Sequence, residues 1–170
     1  MRDASARSAA GVPNPVVSTP PIFPPHPPGD VCRVLCVDDD PVTQRILVAA
    51  LVRPGFSVEC VGDGQDALER FAGDARGFDV LVTDHQMPRV DGLELVRRLR
   101  GRGFAGAVIV VSALVTGADG AAYRSLGAAA VLDKPINIVA LRRAADAVAR
   151  VPAAGRTPVR MKLAAPADPA

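Results

Sequence analysis

Four short apolar runs constrain this chain more than anything else in it, because each one ends in a group with chemistry. Val34-Leu35-Cys36-Val37 runs into Asp38-Asp39, Val80-Leu81-Val82-Thr83 into Asp84, residues 107–111 into Ser112, and Val131-Leu132-Asp133 into Lys134. Apolar runs of this length without strict alternation suit strands covered on both faces of a parallel sheet. In such a sheet the carboxyl ends share one edge, and that edge is where open α/β sheets bind ligands. The pattern therefore predicts that acids, a hydroxyl and an ammonium meet in one place.

Helical and strand-like spacing alternate along the same stretch. A first strand is read at Cys32–Val37, followed by Ile46, Leu47, Ala50 and Leu51 at helical spacing. Phe56, Val58 and Cys60 alternate with Ser57, Glu59 and Val61, a weaker pattern that fits an edge strand. Ala67, Leu68, Phe71 and Ala72 mark a second helix, and Leu93, Val96 and Leu99 mark a third between strands at Val80–Thr83 and 107–111. A fourth helix at about 115–126 is weakened by Gly117 and Gly120. A short strand at 129–132 precedes a last helix with Ile138, Leu141, Ala145 and Val148 on one stripe. Five strand-helix units predict one α/β domain over residues 31–151, a parallel sheet doubly wound with helices on both faces.

Such a core needs only about 110 to 130 residues, so a chain of 170 leaves room for tails rather than a second domain. Residues 1–30 carry Pro13, Pro15, Pro20, Pro21, Pro24, Pro25, Pro27 and Pro28, which predicts a disordered or polyproline-like tail. Residues 152–170, rich in Pro and Ala, read the same way. A formal net charge of +2 is too small to argue for nucleic acid, and no direct nucleic-acid binding is expected. Arg97, Arg98, Arg100 and Arg102 read as a solvated helix end whose cations complement the helix dipole. Cys32, Cys36 and Cys60 read as buried, reduced thiols of a cytoplasmic protein. No apolar run approaches the ~20 residues of a membrane span, and the N-terminus lacks a signal-peptide core, so no membrane insertion is expected.

Chemistry narrows the strand ends further. Asp38, Asp39 and Asp84 cannot gather as carboxylates without a cation. A hard divalent ion such as Mg2+, held by carboxylates together with a phosphate, resolves the repulsion. Ser112 then donates to a phosphoryl oxygen and Lys134 supplies a point charge to the same group. Together they describe a site for phosphoryl transfer to or from oxygen, in which positioning and charge neutralisation dominate. Asp40 stands apart, because Asp40-Pro41 fits a helix N-cap followed by proline at the first helical position. Asp63-Gly64 and Val90-Asp91-Gly92 likewise read as turns and caps.

Val-Asp-Asp at 37–39, the segment from Asp79 to Gly92, Val-Ser-Ala at 111–113 and Lys134-Pro135, in that order, resemble the receiver domain of bacterial two-component response regulators. The resemblance covers about residues 32–150 and is to the stand-alone type, similar to the single-domain chemotaxis regulator. It implies a flavodoxin-like (βα)5 sheet in the order 2-1-3-4-5, with a cis Lys134-Pro135 peptide. It also implies that Asp84 is the phosphoacceptor, assisted by Ser112 and Lys134. Mg2+ would be bound by Asp38, Asp39, Asp84 and the backbone carbonyl of Gln86. The implied partners are a sensor histidine kinase or histidine phosphotransfer protein, and an unknown downstream protein target. The chain is thus expected to be a signalling phosphoacceptor rather than a turnover enzyme, controlling protein contact without an attached output domain. Met1 and the two tails favour a whole gene product over a receiver cut from a hybrid kinase. Thr43 and Gln44 on the first helix are expected kinase contacts. Val131 departs from the family pattern, where many members carry an aromatic whose rotamer reports activation. His85 and Gln86 occupy positions that influence the lifetime of the acyl phosphate in the family.

Three other assignments fit less well. Asp38-x-Asp40-x-Val42 matches the nucleophile motif of haloacid dehalogenase-type phosphatases, but only Asp146 and Asp168 follow Lys134, where that family needs an acidic pair. Gly62-x-Gly64-x-x-Ala67 superficially matches a dinucleotide fingerprint, yet it follows the second strand rather than the first. A receiver-shaped interaction module that signals without phosphorylation would not need the full set of pocket groups.

Overall fold

The computed structural model describes residues 31–73 and 77–149. The expectations for tails at 1–30 and 152–170 fall outside them. In chain order the elements are β1 (Cys32–Val37), α1 (Pro41–Leu51), β2 (Phe56–Val61), α2 (Gly64–Ala72), β3 (Val80–Thr83), α3 (Gly92–Gly101), β4 (Ala107–Ser112), α4 (Gly117–Ser125), β5 (Ala130–Asp133) and α5 (Ile138–Ala149). All five strands pair in parallel, in the order β2-β1-β3-β4-β5. This is the flavodoxin-like arrangement, and the Lys134-Pro135 peptide is cis.

The two faces of the sheet explain why the strands look continuously apolar. Successive side chains of a strand point to opposite faces. Val34, Cys36, Val80, Val82, Ile109 and Val111 join Leu47 and Leu51 of α1 and Leu141 and Ala145 of α5 in one core. Leu35, Val37, Leu81, Val108 and Val110 join Leu68 of α2, Leu95 and Val96 of α3 and Tyr123 of α4 in the other. Both sets need to be apolar, so the period of two disappears from the sequence. β2, at the sheet edge, keeps its alternation and is only half-buried.

Local chemistry starts the helices where the sequence indicates. Asp40 accepts from the N–H groups of Val42 at 3.1 Å and Thr43 at 3.0 Å, with Pro41 at the first helical position. Asp63 caps α2 and Asp91 caps α3. The glycine-weakened helix is shorter than its pattern suggests, spanning Gly117–Ser125 behind a Thr116 cap. No helix among the described residues is long and apolar enough to cross a membrane.

The sequence reading is corrected in three places. Arg100 is not part of a solvated helix end; its guanidinium turns inward and donates to the carbonyls of Phe104 at 2.7 Å, Gly106 at 2.8 Å and Leu126 at 3.0 Å. Thr43 is buried, with its hydroxyl 2.7 Å from the Asp40 carboxylate, so it is part of the α1 cap rather than an outward contact. Cys60 is half-buried rather than buried, while Cys32 and Cys36 are buried as expected. Burial pushes the Cys32 thiol up to about 12, which keeps it protonated at neutral pH.

Candidate functional site

Strand register brings the chemical groups to one level. Val37 of β1 is paired with Thr83 of β3, and Thr83 with Val110 of β4, so Asp38 and Asp84 leave adjacent strands side by side. The Asp84 N–H donates to the Val37 carbonyl at 2.9 Å, extending the ladder one residue past the strands. Ser112 ends β4 opposite Asp133, and the Lys134 N–H donates to the Ser112 carbonyl at 2.9 Å. The acids, the hydroxyl and the ammonium therefore meet at the carboxyl edge of the sheet.

Lys134 is the hub of the cluster. Its Nζ donates to Asp38 Oδ2 at 2.8 Å and to Asp84 Oδ2 at 2.7 Å. Each acid has its second oxygen held by backbone: Asp38 Oδ1 accepts from the Asp40 N–H at 3.0 Å, and Asp84 Oδ1 from the His85 N–H at 2.6 Å. Asp38 is 1% exposed and Asp84 7%, whereas Asp39 is exposed. Burial raises the pKa of Asp38 against the opposing pull of the Lys134 ammonium. At Lys134 burial acts to lower the pKa, but the hydrogen bonds that its ammonium donates to Asp38 and Asp84 outweigh it and the net shift is upward. Ser112 is buried, and its Oγ accepts from the Leu114 N–H at 3.4 Å.

Asp38, Asp39 and Asp84 each bring a carboxylate oxygen within 4.8 Å of the others. Three carboxylates face one ammonium, an excess of two negative charges on hard oxygen donors. That donor set and charge fit a divalent ion of the Mg2+ kind. A depression lined by Asp39, His85, Gln86, Met87 and Asp91 opens at the carboxyl edge of the sheet. Gln44 of α1 donates from its Nε2 to the Asp38 carbonyl at 2.7 Å.

Several residues shape the site through contacts that the sequence does not reveal. Gly92 packs so closely on Asp84 that a Cβ would lie 2.0 Å from the Asp84 carbonyl oxygen and 2.9 Å from the Tyr123 hydroxyl. Arg89, with φ at 60°, spans from the loop after β3 to Asp63, which caps α2, and to Asp66 within that helix. Tyr123, fully buried, meets His85. Each depends on a partner distant in sequence, which spacing alone does not reveal. Val131 lies half-buried against the core that holds α4.

A sequence profile of the response regulator receiver domain matches residues 34–146. The chain belongs to this family. Curated relatives include the response regulator MprA of Mycobacterium tuberculosis, 41% identical over 103 residues that make up 61% of this chain and 44% of that protein. The transcriptional regulatory protein TrcR of Mycobacterium tuberculosis is 36% identical over 110 residues, 65% of this chain and 42% of that one. The chain thus matches less than half the length of these relatives. Among solved structures, the receiver domain of the Francisella response regulator 1452 aligns with a TM-score of 0.63 and 27% identity, over 69% of this chain and 96% of that one. The chemotaxis protein CheY4 of Vibrio cholerae aligns with a TM-score of 0.62 and 26% identity, over 69% and 98%. As a receiver domain, the chain has its acidic cluster at the ligand-binding edge of the fold.

Proposed function

We propose that Asp84 accepts a phosphoryl group from the phosphohistidine of a sensor histidine kinase or a histidine phosphotransfer protein. An Asp84 carboxylate oxygen attacks phosphorus, the P–N bond breaks with its electron pair returning to the donor imidazole, and an acyl phosphate forms. Asp38, Asp39, Asp84 and the Gln86 backbone carbonyl would hold Mg2+. When bound, that ion offsets the charge shared by the acceptor acid and the incoming phosphate. Lys134 moves its ammonium from the carboxylate pair toward the phosphoryl oxygens, and Ser112 donates its hydroxyl to one of them. Those new contacts favour a second arrangement of the loop after β4, and the changed surface controls binding of a downstream protein.

The observation that carries this reading is the Lys134 ammonium within 2.8 Å of both Asp38 and Asp84, beside a third carboxylate. That arrangement supports one acid as the acceptor and the three carboxylates as the holders of a divalent cation. The test is phosphotransfer from purified histidine kinases, and from acetyl phosphate with Mg2+, to the wild type and Asp84→Asn. Wild type is expected to take up one acid-stable, base-labile label and Asp84→Asn none. Equal labelling of both proteins would show that another residue is the acceptor.

A further inference from the structure

His85 ties the acidic cluster to α4 through contacts that phosphoryl transfer does not require. Its backbone N–H donates to Asp84 Oδ1 at 2.6 Å. Its Nδ1 lies 3.0 Å from the Tyr123 hydroxyl, and its Nε2 faces Asp119 Oδ2 at 3.6 Å. The two rings meet edge to face with centroids 5.7 Å apart. The ring proton belongs on Nε2, the nitrogen that faces a carboxylate, so Nδ1 accepts from the Tyr123 hydroxyl. A fully buried phenol needs such a partner.

The far end of this contact is the anchor of α4. Gly120 and Tyr123 are the buried residues of the helix, and only Tyr123 of the two has a side chain to pack. Asp119 also accepts from the Thr116 hydroxyl at 2.6 Å, while its own N–H donates to that hydroxyl oxygen at 3.2 Å. The carboxylate facing His85 therefore closes the cap that starts α4. Position 131, half-buried against the same core, holds a valine with no polar end to bind one state over another.

We propose that His85, Tyr123 and Asp119 form a latch through which the state of Asp84 sets the placement of α4. The proposal rests on Asp84 being the phosphoacceptor. An acyl phosphate turns the carboxylate into a mixed anhydride and takes charge away from the oxygen that the His85 N–H now holds, whichever oxygen carries the phosphoryl group. The 84–85 peptide turns toward a new acceptor and carries the imidazole with it. Hydrogen bonds weaken steeply with distance and angle, so the hold on Tyr123 and Asp119 loosens and α4 is freed to move.

Hydrogen exchange read by mass spectrometry on the full chain tests the latch with Tyr123→Phe, which keeps the ring and removes the hydroxyl. Without phosphodonor, amides of residues 117–125 should exchange roughly fivefold faster in Tyr123→Phe, the size expected for one lost hydrogen bond, with α1 and α5 unchanged. His85→Ala should give at least that gain, and the double variant no more than His85→Ala alone. With acetyl phosphate and Mg2+, wild-type α4 should speed up toward the variant rate, while Tyr123→Phe takes up the same label without further change. Wild-type exchange in unmodified Tyr123→Phe, additive effects of the two substitutions, or an equal rise on phosphorylation in both proteins would overturn the latch. Failure of the wild type to take up label would instead overturn the phosphoacceptor reading, and the comparison without phosphodonor would still decide whether the hydroxyl holds α4.

Discussion

At position 92 no side chain fits. A Cβ there would stand 2.0 Å from the Asp84 carbonyl oxygen, well inside contact distance and against backbone that has no free rotamer to yield. Gly92→Ala is therefore expected to cost about 3 kcal/mol. Urea unfolding would check it, and an unchanged midpoint would mean the loop after β3 relaxes freely. Val90-Asp91-Gly92 is legible in the sequence as a turn and cap, and Asp91 does cap α3. The need for glycine is not legible, because it arises from a backbone atom eight residues earlier that only the folded loop brings near. Lys134 differs: the residue type and its place after a strand already announce a cation at the sheet edge. Its two partners at 2.7 and 2.8 Å then follow from strand register.

Among the elements, the helix ends carry energetics that spacing only outlines. Asp63 caps α2 and also accepts from Arg89, so its environment combines burial with strong donors. Burial alone would raise its pKa, but the N–H groups of Gln65 and Asp66 and the Arg89 guanidinium outweigh it and hold the carboxyl below its ordinary 3.8. A lowered folded value means this contribution is fully present above about pH 4 to 5 and is lost as pH falls through the folded pKa. Asp63→Asn should accordingly flatten the acid limb of stability against pH; parallel acid limbs in the two proteins would show that the carboxyl charge contributes nothing. Arg100→Ala is expected to cost about 2 kcal/mol, since it strips a charged donor from the carbonyls of Phe104, Gly106, Leu126 and Gly127. Thermal unfolding measures it, and a loss within a few tenths would return Arg100 to the solvated role its neighbours suggest. Sequence alone missed this because a basic helix end and an inward-turned arginine look identical until the following loops are in place.

The whole molecule brings the acids of β1 and β3 together with one ammonium, leaving a charge excess that metal should relieve. Mg2+ is expected to raise the unfolding midpoint of the wild type, by about 2.7 kcal/mol at a hundredfold excess over its Kd. Chelation should remove the gain, and Asp39→Ala should lose most of it while keeping the buried Lys134 contacts. Identical midpoints with Mg2+ and with chelator in the wild type would count against a metal at this cluster. The sequence by itself determined the number and kind of elements, the strand ends that carry chemistry and the caps at Asp40, Asp63 and Asp91. These depend on local periodicity and on groups a few residues apart. Tertiary structure alone decided the contacts made by single side chains reaching across the fold: Tyr123 on His85, Arg89 on α2, Arg100 on two loops and the inward turn of Thr43. Periodicity is averaged over many residues and survives without coordinates; a pairwise contact depends on one distance, and that distance exists only once the chain has folded.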